Sequence, residues 1–435
     1  MSVQSASVSR LALLGCLVAL FTGCGSSDGT SPPAPEPDRA EPEPRAPEEA
    51  DTPPPVAALP ADRAVAVGVA MNRLAYTLFP RVAAGPGNVV FSPASAHAAL
   101  AMVTTGAHAE TRDQLTRVLG VGGAEGTALL RDVGRTLRAW NDESRTAFTL
   151  RVANRVFADH RLPFENQFVT GMLDDFGAPV DGLDFTDPEA ARDTINQWVS
   201  ERTREHIPTL LTSPDVTRDT RMVLVSAAYL AAAWEHPFDT RLTQPADFHV
   251  AGGPARAVPT MSQLGSFPVA SVDRATVVEL PLAGRELVMR LVLPDEGVAP
   301  ESLADAAHLG PLNTLTETLA TLLLPKFRLA SPGMALGDEL RALGVSAAFD
   351  PATADFSGIA PLTADRLYME NVVQKAFLAV DERGAEGSAA TAVVMGRMGA
   401  PRELRFDRPF LCAIRDVRSG ALLFLARVSD PAPNR

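Results

Sequence analysis

The residue types that usually perform catalysis are present in this chain, but their spacing matches no catalytic arrangement. The seven histidines are scattered, and no spacing ties one of them to a nucleophile. No Gly-x-Ser-x-Gly segment stands between a strand and a helix, as a nucleophile elbow requires, and there is no His-Glu-x-x-His motif. The paired acids Asp174 and Asp175 fit a solvated helix end better than acid–base chemistry. The sequence therefore gives no support to an enzyme.

Cysteine and histidine also form no metal or redox site. The three cysteines are Cys16, Cys24 and Cys412, and the chain has no Cys-x-x-Cys pair or Cys/His cluster. No cofactor or metal is therefore expected. Because Cys16 and Cys24 fall in a predicted targeting segment, Cys412 would be alone, and no intramolecular disulfide is predicted.

The composition of the stretch at 381–398, DERGAEGSAATAVVMGRM, suits a change of conformation rather than catalysis. It follows a strand-like run at 374–380. Most residues from Gly384 to Ala392 are small, the stretch has no proline, and Thr391 begins a short run that favours strands. Because nothing bulky bars it from a sheet interior, the stretch is suited to lie exposed in one state and as a central strand in another. The alternative is a flexible Ala/Gly loop before the last strands.

The overall composition argues against one broad class of partner. The chain has 435 residues, a length that alone would allow two or three domains. Arginine far outnumbers lysine, and the only lysines are Lys326 and Lys375. The net charge is −13, and this acidic balance disfavours nucleic acid as a partner.

The N-terminus resembles a bacterial lipoprotein signal. Arg10 precedes an apolar run at 11–21 that is too short to span a bilayer as a helix. The run ends in Leu-Phe-Thr-Gly-Cys, which predicts removal of residues 1–23 and attachment of lipid to Cys24, anchoring the protein in a membrane. Gly25 follows, rather than Asp, and suggests the outer membrane of a bacterial cell envelope. The alternative is a simple secretory signal cut nearby, with an extracellular product.

Residues 24–60 are predicted to be a disordered tether. Proline, glutamate, alanine and serine dominate this segment, and such a composition cannot bury a core. At roughly 3 Å per residue the tether could reach about 100 Å. The globular part is predicted to begin at residue 61.

Helical and strand-like patterns alternate through the rest of the chain. Ser92 is well suited to cap a helix that begins with Pro93. The run at 221–234 is long and apolar, as in a strand buried on both faces. The other predicted elements include helices at 64–79, 110–119, 189–203 and 334–343, strands at 149–157 and 321–329, and a terminal hairpin with strands at 410–417 and 421–428.

Several short segments between residues 64 and 431 are informative when they are taken together and in order. The segments are NVVFSP at 88–93, VSAAY at 225–229, WEHPF at 234–238, LPKF at 324–327, DFSGI at 355–359, KAF at 375–377, DRPFL at 407–411 and RVSDP at 427–431. Each is weak alone, but the ordered set is highly specific. Together they resemble the serpin family of serine protease inhibitors.

The resemblance implies an α+β fold in a single large domain, residues 61–435. Such a domain has a central, mostly antiparallel five-stranded sheet A, two further sheets and about eight or nine helices. It also has an exposed reactive-centre loop, which would cover about 382–403. The resemblance further implies a monomer that inhibits other proteins and is not an enzyme.

Within this resemblance, the stretch at 381–398 corresponds to the hinge and reactive loop. Inhibitory members have Glu-x-Gly-small-Glu followed by small residues, and family spacing places the scissile bond between Met398 and Gly399. If the register were shifted by one residue, Arg397 would instead be the bait, which is the residue whose carbonyl the protease attacks. The matching hinge residues are Glu382, Gly384, Ala385, Glu386, Gly387, Ser388, Ala389, Ala390 and Thr391.

The resemblance also implies a suicide-substrate mechanism. A target serine protease would attack the carbonyl of Met398. Residues 385–398 would then insert as a new strand in the large sheet and carry the acylated protease with them. Methionine fits a medium apolar pocket, as in elastase-, chymotrypsin- or subtilisin-like enzymes. A bait at Arg397 would instead select a trypsin-like enzyme, and a cysteine protease is a further, less favoured target.

Family members keep a polar cluster beneath the part of the sheet that opens. This chain departs from the family there, because Ser226 stands where an asparagine is usual and Gln374 where a histidine is usual. We expect Ser92, Ser226 and Gln374 to be able to hydrogen bond to one another.

The top of the sheet is the other part of the predicted opening region. Lys326 and Glu382 match positions that the family pairs there, and Trp234 belongs to the same region. In a chain that otherwise uses arginine, a lysine at 326 suggests limited space for a compact charge. The alternative is a solvent-facing lysine.

Two functions compete within the family. The first is protease inhibition, and the second is a non-inhibitory role as a binding or scaffold protein on the cell surface. Non-inhibitory members tend to carry bulky, charged or proline residues in the hinge. Here Gly387 and Ser388 replace the commoner alanines but remain small, which favours an inhibitor.

Overall fold

The structure, a computed structural model, describes residues 57–142, 148–362, 367–385 and 401–432. Eight α-helices lie in this part of the chain. They are α1 (Ala61–Val82), α2 (Pro93–Thr104), α3 (Ala109–Leu119), α4 (Gly126–Trp140), α5 (Asn166–Gly171), α6 (Pro188–Arg202), α7 (Ala306–Leu309) and α8 (Gly337–Ala342).

Sixteen strands accompany these helices in the described residues. They are β1 (Val89–Phe91), β2 (Phe148–Asp159), β3 (Val180–Leu183), β4 (Met222–Ala233), β5 (Gln244–His249), β6 (Ala255–Val272), β7 (Ala275–Pro281), β8 (Leu287–Pro294), β9 (Thr316–Pro325), β10 (Phe327–Ala330), β11 (Met334–Ala335), β12 (Asn371–Val380), β13 (Gly384–Ala385), β14 (Arg402–Arg405), β15 (Phe410–Asp416) and β16 (Leu422–Val428).

The first sheet contains the predicted five-stranded core. Its strand order is β10-β12-β4-β2-β3, with the short strands β11 and β13 added to β12 and β4. Four of its six pairings are antiparallel, and the pairs β12/β4 and β2/β3 are parallel. The expected mostly antiparallel sheet A is therefore confirmed.

The remaining nine strands form one continuous ladder. Its order is β1-β16-β15-β8-β7-β6-β9-β14, and β5 also pairs with β6. The strand β6 is 18 residues long and reaches from β7 at one end to β5 and β9 at the other. It thereby joins the two further sheets that the resemblance implies.

The main core lies between the two sheets and is centred on α2. All twelve residues of α2 are buried, and the helix packs against β2, β4 and β16. Ser92 caps it as predicted, since its Oγ accepts a hydrogen bond from the backbone N–H of Ser95 at 3.3 Å. A second, smaller core lies between α6 and the opposite face of the first sheet.

Two local predictions were wrong. The helix at 64–79 does not end before Pro80, because α1 continues through it to Val82. The predicted helix at 334–343 begins late, because Met334 and Ala335 pair with Gln374 and Val373 of β12 as a short strand. Local periodicity cannot register such a long-range pairing. None of the described helices has the length and apolar character needed to cross a membrane.

Candidate functional site

The site is a seam in the first sheet, where β4 and β12 run side by side in parallel. Their register begins at Val223 opposite Asn371 and ends at Tyr229 opposite Phe377. Beyond Tyr229, the edge of β4 is paired instead with the chain segment that follows β12. We call the contact between β4 and β12 the seam, and its end at Tyr229 the top of the seam.

The chain turns back into the sheet at the top of the seam. After β12 it bends at 381–383, and then Gly384 pairs with Ala233 and Ala385 pairs with Ala232 in antiparallel register. The other edge of Ala232 is already occupied by Phe148 of β2, so β13 lies on the same edge of β4 as β12.

Gly384 is required by this pairing for two reasons. Its φ of +146° lies in a region that residues with side chains rarely adopt. A Cβ atom at this position would also lie 2.2 Å from the carbonyl oxygen of Ala232. The hinge can therefore approach β4 this closely only because residue 384 is glycine.

Glu382 anchors the turn through its carboxylate. Lys326 Nζ lies 2.7 Å from Oε2, and Thr243 Oγ1 donates to Oε1 at 2.7 Å. The Glu382 side chain is only 9% exposed, whereas that of Lys326 is 37% exposed. Burial acts to raise the pKa of Glu382, but the hydrogen bonds from Lys326 and Thr243 outweigh it and hold the pKa below its ordinary value. The carboxylate therefore stays ionised, and Lys326 is not a free solvent-facing lysine.

The backbone of the turn is held by the segment that follows β4. Trp234 donates from Nε1 to the carbonyl of Asp381 at 2.8 Å and from its backbone N–H to the carbonyl of Arg383 at 2.9 Å. Phe238 N–H donates to the carbonyl of Glu382 at 2.9 Å. Each carbonyl of the turn thus has a partner, so the start of the hinge is fixed in place.

Gln374 and Ser226, which face each other across the middle of the seam, bind the start of α2. Gln374 Oε1 accepts from the backbone N–H of Ser92 at 3.1 Å, and its Nε2 donates to the carbonyl of Ser92 at 2.8 Å. The same Nε2 donates to Ser226 Oγ at 3.3 Å. The three residues expected to interact are therefore in contact, with Gln374 as the bridge.

Two further residues complete this cluster and were missed in the sequence. Ser95 Oγ lies 2.6 Å from Ser226 Oγ and donates to Asn154 Oδ1 at 2.9 Å, while Asn154 Nδ2 donates to the carbonyl of Ser95 at 3.0 Å. Asn154 stands opposite Ser226 in the β2/β4 pairing. The cluster therefore ties β2, β4 and β12 to one helix terminus, a link that depends on strand pairing.

Several predicted site residues lie outside the described residues. These are Cys24, Glu386, Gly387, Ser388, Ala389, Ala390, Thr391, Arg397, Met398 and Gly399. Cys412 is described and is a buried free thiol, whose pKa is raised by that burial. The described parts of the chain contain no group of three or more His, Cys, Asp or Glu side chains that could hold a metal ion.

Comparisons with known proteins give one consistent result. A family model described as "Serpin (serine protease inhibitor)" matches residues 69–431. Human serpin B9 is 34% identical to the chain, covering 79% of it and 93% of the human protein. The leukocyte elastase inhibitor of Xenopus tropicalis is 32% identical, covering 79% and 93%. The solved structure of Manduca sexta serpin-12 matches with a TM-score of 0.75 at 26% identity, covering 83% of this chain and 98% of that one.

Proposed function

The chain belongs to the serpin family, whose members are mostly protease inhibitors and not enzymes, and we propose that it inhibits a serine endopeptidase as a suicide substrate. The observation that carries the proposal is the pairing of Gly384 and Ala385 with β4, on the edge where β12 lies. Two residues of the hinge are thus already paired with β4 just beyond the top of the seam, so insertion would extend an existing pairing along β4.

Continuing the observed register predicts where the inserted strand would lie. Each residue after Ala385 would pair one residue earlier along β4, so Ser388 would reach Tyr229 and Val394 would reach Val223. These two β4 residues are the ends of the present contact with β12. The loop would therefore replace β12 beside β4 along the whole seam.

The covalent step is an acyl transfer that stops at the acyl-enzyme, before hydrolysis. The serine oxygen of the protease attacks the carbonyl of Met398, the bond to Gly399 breaks, and the new amine of Gly399 departs with the C-terminal part. Met398 is left as an ester on the protease. Insertion of the fourteen residues 385–398, which span roughly 46 Å as a strand, would carry the protease to the far end of the sheet before water can hydrolyse the ester.

The chemistry of the loop supports this path. The residues that must enter the sheet are mostly small and include no proline, so no side chain or missing N–H bars them from a central position. A binding or scaffold role without inhibition is the alternative. It would need no such permissive hinge.

The test mixes the full chain with elastase-, chymotrypsin-, subtilisin- and trypsin-like proteases. We expect an SDS-stable adduct with an enzyme of apolar specificity and a released peptide that begins at Gly399. A peptide that begins at Met398 would move the bait to Arg397 and favour a trypsin-like target. Clean cleavage without an adduct across the panel would contradict inhibition and support the alternative role.

We also propose that the inhibitor is held at a bacterial cell surface by lipid on Cys24. Support comes from the apolar run that ends at this cysteine and from the Pro/Glu-rich composition of 24–60, which would hold the inhibitory domain away from the membrane. Mass spectrometry of the mature N-terminal peptide tests this directly. A Cys24→Ser variant should be released into the soluble fraction, and an unmodified N-terminus at another residue would contradict the proposal.

A further inference from the structure

The face of the seam opposite α2 is covered by α6 and by the segment that follows it. We call residues 203–212 the covering segment. Its Ile207, Leu210 and Leu211 are buried in one cluster with Val225 of β4 and Val373 of β12, which stand opposite each other in the seam. The covering segment therefore packs on both strands that must separate.

The imidazole of His206 lies across the top of the seam. Its centroid is 4.5 Å from the ring of Tyr229 and 4.9 Å from the ring of Phe377, with interplanar angles of 14° and 29°. Tyr229 and Phe377 are the last pair before the seam gives way to the hinge. Arg204 and Glu205, just before the histidine, both have positive φ angles, +49° and +62°. The fold therefore imposes an unfavourable backbone to place this ring.

Polar contacts hold the covering segment to α6 and to β12. Asn196 of α6 accepts hydrogen bonds at Oδ1 from the backbone N–H groups of Leu210 and Leu211, both at 2.8 Å. On the β12 side, Lys375 Nζ donates to the carbonyl of Thr209 at 2.7 Å. Because the segment is anchored, His206 cannot follow one strand away from the other without breaking contacts.

We infer that His206 is a positioning residue that sets the rate of loop insertion by holding Tyr229 to Phe377. The inference rests on the proposed function, because it concerns the step after the hinge has entered. In the continued register, Ser388 arrives beside Tyr229 and must pass between the two rings. Pairing of Ser388 with Tyr229, the first step that separates β12 from β4, therefore requires loss of at least one of the two stacking contacts of His206.

The experiment measures insertion without a protease. The full chain is incubated with a fluorescent peptide that has the sequence of residues 385–398, and uptake is followed by anisotropy. His206→Ala should take up the peptide about tenfold faster than the unmodified chain, because two ring contacts no longer oppose opening. His206→Phe keeps a stacking ring and should restore the original rate to within about twofold.

The matched control is Trp198→Leu. Trp198 lies on α6, just before the covering segment, and its ring contacts Phe157 of β2, which is not one of the two strands of the seam. We expect its uptake rate to stay near that of the unmodified chain. Equal rates for His206→Ala and the unmodified chain, or an equal acceleration by Trp198→Leu, would overturn the inference. If the proposed function itself were wrong, none of the variants would take up peptide. The inference would then be wrong as well.

Discussion

At the scale of single residues, the hinge depends on a charge pair of unequal burial. Removing the ammonium in Lys326→Met would leave the carboxylate of Glu382 largely buried, with Thr243 as its remaining side-chain partner. We expect a loss of about 1–2 kcal/mol in the stability of the native state. Thermal unfolding measures this as a lower first transition temperature. The double variant with Glu382→Gln should recover part of the loss; no recovery would mean that Lys326 acts elsewhere.

A second prediction at this scale concerns His97, a buried residue of α2. Its Nε2 lies 2.9 Å from the carbonyl of Leu119, its Nδ1 has no partner, and burial lowers its pKa to about 4. The unfolded chain would bind a proton near the ordinary value of 6.5, whereas the folded chain would not. The neutral, buried ring therefore costs no stability above about pH 6.5. As the pH falls from 6.5 toward 4, protonation of this ring in the unfolded chain lowers the free energy of unfolding by about 3 kcal/mol in total.

This pH dependence can be measured on the unmodified chain and on His97→Gln. The unmodified chain should lose transition temperature more steeply between pH 6.5 and 4.5, because the variant lacks the titrating ring. An NMR titration of the ring gives the same information directly. A folded-state midpoint near pH 6.5 would contradict the prediction.

The sequence revealed residue roles where they are local and missed them where they depend on pairing. The capping role of Ser92 was predictable, because a serine before proline is a helix-start pattern. The contact of Gln374 with Ser92 and Ser226 was expected from their family positions. Ser95 and Asn154 were not found, because their contacts exist only after β2 and β4 come into register beneath α2.

At the scale of elements, the pairing of β13 with β4 leads to a prediction about the hinge. Gly384→Ala adds a Cβ only 2.2 Å from the carbonyl oxygen of Ala232 at a φ of +146°. We expect β13 to leave the sheet, so insertion starts later and more inhibitor is cleaved before the protease is trapped. The number of inhibitor molecules consumed per trapped protease should rise severalfold.

The control for this variant is Gly297→Ala. Gly297 also has a positive φ, +79°, but no atom lies within 4 Å of its added Cβ. Gly297→Ala therefore places a Cβ at a positive φ without a clash and outside the seam. A change in stoichiometry as large as that of Gly384→Ala would show that general destabilisation, and not hinge pairing, is responsible.

The elements themselves were predictable to different degrees for a physical reason. The apolar run at 221–234 was correctly assigned to a strand buried on both faces, because that burial leaves a continuous pattern in one segment. The strand at 334–335 was missed, because only the backbone of β12 makes it a strand. The pairing of β13 was invisible for the same reason, although the small residues that permit it were noticed.

At the scale of the whole molecule, contacts on several sides of the seam oppose the insertion of a strand. The seam is bound from the α2 side by a polar cluster and from the α6 side by an apolar core, while the hinge holds its top. Each contact must be broken in part before a new strand can form. The native state is therefore expected to persist for kinetic reasons, even if a more stable state with an inserted strand exists.

Cleavage of the reactive loop tests this expectation for the molecule as a whole. A free loop could continue the β13 register down to Met222, adding a central strand with hydrogen bonds on both edges. Individual bonds contribute only about 1 kcal/mol each, but a strand of this length adds many, and buried apolar contacts come with it. We therefore expect the chain cleaved at the loop to unfold at a temperature tens of degrees higher than the intact chain in calorimetry. Ala385→Arg should abolish the gain, because a long charged side chain would stand opposite Ala232 at the start of the inserted strand. If the cleaved, unmodified chain melted at the same temperature as the intact chain, the loop would not insert, and a non-inhibitory role would explain the molecule better.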